Sequence, residues 1–458
     1  MKIRTVLSIV LATVALAAVA AQAKSKPSRA VSVAISPERR VLAADRPEAA
    51  LVKIGLTGAA LPHGERPAVN LALVLDRSGS MHGDRIARAR EAAIAAVERL
   101  DSRDYVSVVV FDDRIDVLAG AQTASPANKA AIVEKLRTVE ARGSTAIFGG
   151  VSAGAAELRK NLSRNLVNRL ILLSDGQANV GPASPEELGH LGASLVKESI
   201  TASTMGVGLG YNENLMAALA GRSDGNTYFI ENSDDLPRIF NAELGDAFQV
   251  AARDVRLSVR FDGAHPVELV GRDGRIEDGT VSVDFNQIYS TQEKYVLVRT
   301  EFPIGRDGET RPFATAEVTW TAPGTGRPGT ASASASISFS ADERAVRDSA
   351  DVHVMVQGQR TVNAIRAQEA LALNAAGDFA GARRKMAQNR EEMRQLRVGF
   401  DDRLLDAPEA AEALAEEESW NASAENALGG SLAPKASKAL NTRSFQTQYQ
   451  QTTPQDGF

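Results

Sequence analysis

Apolar and polar positions change rhythm several times along the 458-residue chain, and each change predicts a different kind of structure. Between about residues 69 and 248, compact runs rich in Val, Ile and Leu alternate with stretches of helical period. The runs at 70–75, 105–111, 169–173 and 201–207 are apolar at consecutive positions, the pattern of strands buried on both faces of a parallel sheet. Between the first two, Ile86, Ala89, Ala93, Ala96, Val97 and Leu100 recur at three and four residues, which is one stripe of an amphipathic helix. Arg85, Arg88, Arg90, Glu91, Glu98 and Arg99 fill its other side. Further helices are expected at 126–136, 148–158, 185–197 and 233–244. Alternation of this kind predicts an α/β domain with a doubly wound, mostly parallel sheet.

Outside that segment the period is different. Residues 30–35 and 50–56 read as short strands, expected to pack with a later β-domain. From Asp254 the helical period vanishes, and 255–261, 267–270, 280–285, 294–300 and 314–321 have strand lengths with Gly, Asp and Pro between them. A β-sandwich-like domain is expected there. The stretch "ASASASISF" at 331–339 fits a last strand or a flexible linker. Helical stretches return at 362–376, 379–396 and 408–418, and "EALALNAAGDFAGARRKM" resembles one tetratricopeptide-type helical hairpin. The end of the chain is rich in Ser, Gln, Thr and Asn and reads as disordered. The expected partition is therefore 1–23 signal peptide, 24–67 N-terminal strands, 68–248 α/β domain, 249–340 β-rich domain, 341–428 helical region and 429–458 disordered tail.

Composition narrows the functional classes. A net charge of −5 with no basic run argues against a nucleic-acid partner. Lys2 and Arg4, the apolar stretch 6–19 and Ala21-Gln22-Ala23 have the layout of a cleavable secretory signal, so an exported, periplasmic or secreted protein is expected, with no transmembrane segment after cleavage. Cysteine is absent, which removes disulfides, thiolate metal sites and cysteine nucleophiles. The five histidines have no zinc spacing.

The chemistry concentrates in three short stretches. "LVLDRSGSMHG" ends an apolar strand on Asp76 and follows it with Ser78 and Ser80. Gly143-Ser144-Thr145 precedes a helix, and Ser174-Asp175-Gly176 follows the run "RLILL". Ligands of open parallel sheets bind beyond the carboxyl ends of the strands, where the first and third stretches fall. Hydroxyls from Ser78, Ser80 and Thr145 with carboxylates from Asp76 and Asp175 make an all-oxygen donor set. Such a set suits a hard cation, Mg²⁺ first and Mn²⁺ or Ca²⁺ as substitutes. Two carboxylates only just neutralise the ion, so a further anion can complete its shell. Asp112 and Asp113 fit a turn at a strand end better than a ligand role.

The ordered set DxSxS, loop threonine and SDG resembles the von Willebrand factor A domain with its metal-ion-dependent adhesion site, over roughly residues 68–248. "GSTAIFGGV" is similar to the second loop of that family, with Ala146 where Asn is common in bacterial members. The resemblance implies that Ser78, Ser80 and Thr145 ligate the metal while Asp76 and Asp175 are its charged members, one or both through water. It implies a non-enzymatic module that binds an acidic residue of a partner protein through the metal. Arg77, His82 and Ser144 are the expected partner contacts. The flanking β-segments look like those of bacterial secreted homologues of calcium-activated chloride channel regulators. Two alternatives come from other classes. One is an assembly protein whose metal only stabilises the fold. The other is a Mg²⁺-dependent phosphohydrolase, which needs an Asp where Ser78 stands.

Overall fold

The structure, a computed structural model, describes residues 30–61, 66–163, 165–428 and 434–451. The expected signal segment 1–23 and His63 lie outside them.

The chain opens with β1 (Val31–Pro37), β2 (Val41–Ala43) and β3 (Glu48–Gly58). The α/β segment then runs β4 (Ala68–Asp76), α1 (Asp84–Arg99), β5 (Tyr105–Phe111), β6 (Ile115–Thr123), α2 (Pro126–Arg137), α3 (Ile147–Arg159) and β7 (Leu166–Ser174). It continues with α4 (Pro185–Val196), β8 (Ile200–Val207), α5 (Glu213–Arg222), β9 (Thr227–Ile230) and α6 (Leu236–Ala247). The strands order as β6-β5-β4-β7-β8-β9, parallel throughout except for β6, which folds back antiparallel on β5.

Strand β4 is the axis of this sheet. Leu71, Leu73 and Leu75 point into one core with Ile86, Val97, Leu136 and Phe240, while Ala72 and Val74 point into another with Val151, Leu188 and Leu219. A strand apolar at odd and even positions alike needs cover on both faces, and α1, α2 and α6 supply one layer, α3, α4 and α5 the other. Helix α3 comes unusually close. A Cβ on Gly154 would stand 2.4 Å from the Val74 side chain, so glycine there lets the helix seat on β4.

The second domain contains β10 (Val250–Phe261), β11 (His265–Val270), β12 (Arg275–Glu277), β13 (Thr280–Tyr289), β14 (Glu293–Phe302), β15 (Thr310–Thr321) and β16 (Pro328–Ser340). Two sheets, β1-β3-β14-β11 and β12-β13-β10-β15-β16-β2, enclose one core that includes Val52, Ile54, Leu257, Phe285, Phe302, Phe313 and Trp320. The N-terminal strands are thus structural members of the later domain, with β3 antiparallel to β14 from Glu48↔Phe302 to Thr57↔Glu293. The "ASASASISF" stretch lies in β16 and pairs along β15.

The C-terminal part has α7 (Glu343–Asp348), α8 (Val352–Ala375), α9 (Phe379–Gly399), α10 (Asp401–Leu404), α11 (Pro408–Ala427) and α12 (Pro434–Gln448). Helix α12 corrects the expectation of a disordered tail from 429. Its polar residues Lys438, Asn441, Thr442 and Ser444 are buried. Lys438 Nζ donates to Tyr211 O (2.6 Å) and to Glu213 Oε2 (2.7 Å), and Asn441 Nδ2 to Asn214 Oδ1 (2.7 Å). A composition that resembles a solvated tail is here a hydrogen-bonding surface that docks on the α/β domain. Among the described residues, no helix is long and apolar enough to cross a membrane.

Candidate metal centre

Three loops meet at the carboxyl ends of β4 and β7, and each is held by backbone bonds. After β4 the chain makes a single 3₁₀ turn, Gly79–Met81, whose Met81 side chain is buried in the core below and anchors the loop. Ser78 N–H donates to Asp76 Oδ1 (2.7 Å), and Gly79 N–H donates to Gly143 O (3.0 Å), which joins the first loop to the second. In the second loop Thr145 N–H donates to Asn179 Oδ1 (2.8 Å) while Thr145 O accepts from Asn179 N–H (3.1 Å). In the third, Ser174 Oγ donates to Asp76 Oδ2 and accepts from Gly176 N–H (3.2 Å).

The five predicted oxygen-bearing side chains converge. Ser78 Oγ and Ser80 Oγ are 3.0 Å apart, and Ser80 Oγ donates to Asp175 Oδ1 at 2.7 Å. Thr145 Oγ1 and Asp76 Oδ2 both border Gly176. A Cβ built there would lie 2.9 Å from the first and 3.5 Å from the second. Asp76, Ser78, Thr145 and Asp175 are buried and Ser80 is exposed, so the cluster reaches solvent at Ser80.

Burial is also the reason that the Asp76 carboxyl is pushed up to about 6, against bonds from Ser174 and Ser78 that favour its charged form. Asp175 nearby raises it further. A buried carboxylate beside a second one is poorly compensated by protein dipoles alone, and a divalent cation relieves both burial and repulsion. Three hydroxyls and two carboxylates facing one opening, with glycine at the wall, fit a hard oxygen-ligated ion.

The expected partner contacts divide. His82 and Ser144 are exposed, in the same loops as Ser80 and Thr145. Arg77 is not available and corrects that expectation. Its Nε donates to Asp112 Oδ2 (2.8 Å), it also pairs with Asp116, and only 12% of the side chain is exposed. Asp112 keeps its turn role. Its Oδ1 accepts from Arg114 N–H (2.7 Å), and Arg77 and Arg142 hold the group below the usual carboxylate range against the effect of burial.

Three residues that contact the cluster were given no role by sequence reasoning. Arg85 Nη1 donates to Asp175 Oδ2 and to Ser80 O (3.1 Å), Ser174 orients Asp76, and Asn179 clamps Thr145. Ser174 lies inside a motif that was read. Arg85 looks like one more cation on a helix face, and Asn179 is one polar residue in a loop.

Similarity to known proteins agrees with this geometry. Residues 70–242 match the von Willebrand factor type A domain. Uncharacterized protein sll0103 of Synechocystis sp. is 31% identical over 189 residues, which is 41% of this chain and 44% of that protein. The chain spans less than half the length of the curated relatives it matches. Among solved structures, von Willebrand factor type A from Catenulispora acidiphila superposes with a TM-score of 0.66 at 18% identity, covering 83% of this chain and 89% of that one. The ArnB paralog VWA2 from Sulfolobus acidocaldarius gives 0.54 at 16% identity, covering 86% and 98%. The α/β segment carrying the three loops matches the von Willebrand factor type A domain, a kind of domain that generally serves as a protein-interaction module, and has its fold.

Proposed function

We propose that this domain is a non-enzymatic, divalent-metal-dependent protein-binding module. Ser78, Ser80 and Thr145 would hold Mg²⁺, with Asp76 and Asp175 as its charged neighbours, and a carboxylate of the partner would complete the shell. The observation that carries the reading is the convergence of these five side chains, from three separate loops, at one solvent opening beyond the strand ends. The donor set supplies two negative charges to a divalent ion, so an acidic partner residue meets an ion that is not over-neutralised. The exposed His82 and Ser144 lie in the same loops as Ser80 and Thr145. The signal-like N-terminal sequence supports a cell-envelope setting for the partner.

The test is capture of envelope proteins on the full chain in Mg²⁺ and in chelator, with Ser78→Ala as the control. Partners retained in Mg²⁺ and lost both in chelator and in Ser78→Ala are expected. Identical sets of partners under all three conditions would sink the reading. A Ser78→Ala protein that melts lower yet keeps every partner would move the metal's role to stabilising the fold.

A further inference from the structure

We propose that Arg85 is a built-in cation of the centre, which pairs with Asp175 in the metal-free site, weakens the site's own hold on a divalent ion, and biases the loaded site toward a carboxylate. This rests on the metal-centre reading above and adds to it a residue outside the three loop motifs.

Arg85 lies in the first turn of α1, directly after the loop that carries Ser78 and Ser80. Its Nη1 donates to Asp175 Oδ2, while the other oxygen of the same carboxylate accepts from Ser80 Oγ at 2.7 Å. The same Nη1 donates to Ser80 O at 3.1 Å. The guanidinium therefore binds both a charged member and the backbone of a hydroxyl-bearing member. Gly208 makes space for it, since a Cβ at that position would lie 3.0 Å from Arg85 Nη2. Some 40% of the side chain is exposed, so the group stands at the rim and faces solvent as well as the site.

The charges set the consequence. Asp76 and Asp175 together bring two negative charges, and Arg85 removes one of them. A divalent ion entering beside Arg85 makes the centre net positive. Two like-signed charges sharing one carboxylate at the solvent-exposed rim, where the effective dielectric is close to the value of about 80 in water, repel enough to weaken metal binding roughly tenfold. The same surplus attracts an anion. A carboxylate arriving at the metal meets a guanidinium whose fork can take it in a charge-assisted bond. Metal and carboxylate should therefore bind cooperatively, each raising the affinity for the other by the same factor.

The experiment measures Mn²⁺ binding to the full chain by the electron paramagnetic resonance signal of free ion, in chloride and in acetate buffers, with acetate as the carboxylate probe. Wild type, Arg85→Gln, Arg85→Lys and Ser78→Ala are compared, with thermal melts to check folding. Expected is roughly tenfold tighter Mn²⁺ binding in Arg85→Gln than in wild type without acetate. Acetate should raise the affinity of wild type and of Arg85→Lys several-fold, with a clearly smaller gain in Arg85→Gln. A folded Arg85→Gln protein with unchanged or weaker Mn²⁺ affinity overturns the proposal, as does an acetate gain in it as large as in wild type. Arg85→Lys that behaves as Arg85→Gln also overturns it, because charge would then not be the cause. Failure of the metal-centre reading looks different: wild type binds no Mn²⁺, or Ser78→Ala binds it as well as wild type does.

Discussion

At the scale of single residues the proposed centre depends on close approach as much as on ligand chemistry. Gly176 has a backbone that any residue adopts, yet a Cβ there would stand against Thr145 Oγ1 and Asp76 Oδ2. Gly176→Ala is expected to push the Thr145 hydroxyl away by a few tenths of an ångström and weaken Mg²⁺ binding roughly ten- to a hundredfold, the usual range for outer-shell changes at metal sites. In chelator its stability should change by less than about 1 kcal/mol, because nothing is lost from the core. Calorimetric titration beside denaturant melts checks both parts, and equal metal affinity would show that Thr145 does not face the ion. The hydroxyls and carboxylates themselves were legible in the sequence, because Asp76, Ser78 and Ser80 close an apolar strand and Asp175 follows another. Arg85 was not. Its pairing joins residues 90 positions apart, and on the helix it occupies a place that any solvated arginine fills.

At the scale of elements, long apolar runs and strong helical stripes were legible and the edges of the sheet were not. Strands β4, β5, β7 and β8 are buried on both faces and announce themselves by composition. Strand β6 is half exposed with no regular alternation, and β9 is four residues long, so neither carries a period that sequence reasoning can find. Helix α12 and the residues just after it were misread for a related reason: several of their Gln, Asn and Ser side chains have hydrogen-bond partners that only the fold brings near. Gln451 Oε1 accepts from Thr227 N–H (3.1 Å), and Gln446 Nε2 donates to Thr227 O (3.1 Å). The C-terminal segment thus closes the outer edge of β9, where an open strand edge invites pairing with other chains. Leu440 is buried between α12 and the α8–α11 helices, and Leu440→Asp places a carboxylate in that apolar cluster. Release of α12 should follow, with amide exchange over residues 227–230 at least tenfold faster and exchange in β4 unchanged. Unchanged exchange in β9 would show that the edge is protected without α12.

At the scale of the whole molecule the proposed metal centre and the β-sandwich occupy opposite ends of the parallel sheet. The centre lies at the carboxyl ends of β4 and β7, whereas the sandwich docks where strands begin. Arg169, near the start of β7, donates to Tyr289 at the end of β13 (2.8 Å) and to Glu243 of α6 (2.9 Å), with all three groups buried. Asp224, just before β9, accepts from Asn286 N–H (2.9 Å) and from Lys294 Nζ (2.7 Å) of the sandwich. Docking at that end leaves the opening of the centre clear for a partner. Asp224 also makes the joint sensitive to acid. Burial opposes its ionisation, but Lys294 and Arg272 outweigh burial and hold it below its usual value of 3.8. A carboxyl lowered in the folded state contributes stability that is fully present above about pH 4 and is lost as pH falls through the folded value. Asp224→Asn removes one member of a buried pair and should lower stability by about 3–5 kcal/mol at pH 7. The gap from wild type should narrow as pH drops below about 4, since wild type then loses what the variant lacks. Because the joint and the centre are at opposite ends, Mg²⁺ affinity at pH 7 should stay within about twofold, under about 0.5 kcal/mol. Denaturant melts across pH and one metal titration decide it. A fall in metal affinity matching the loss of stability would mean that the sandwich shapes the centre through the sheet, and that the two ends are one mechanical unit.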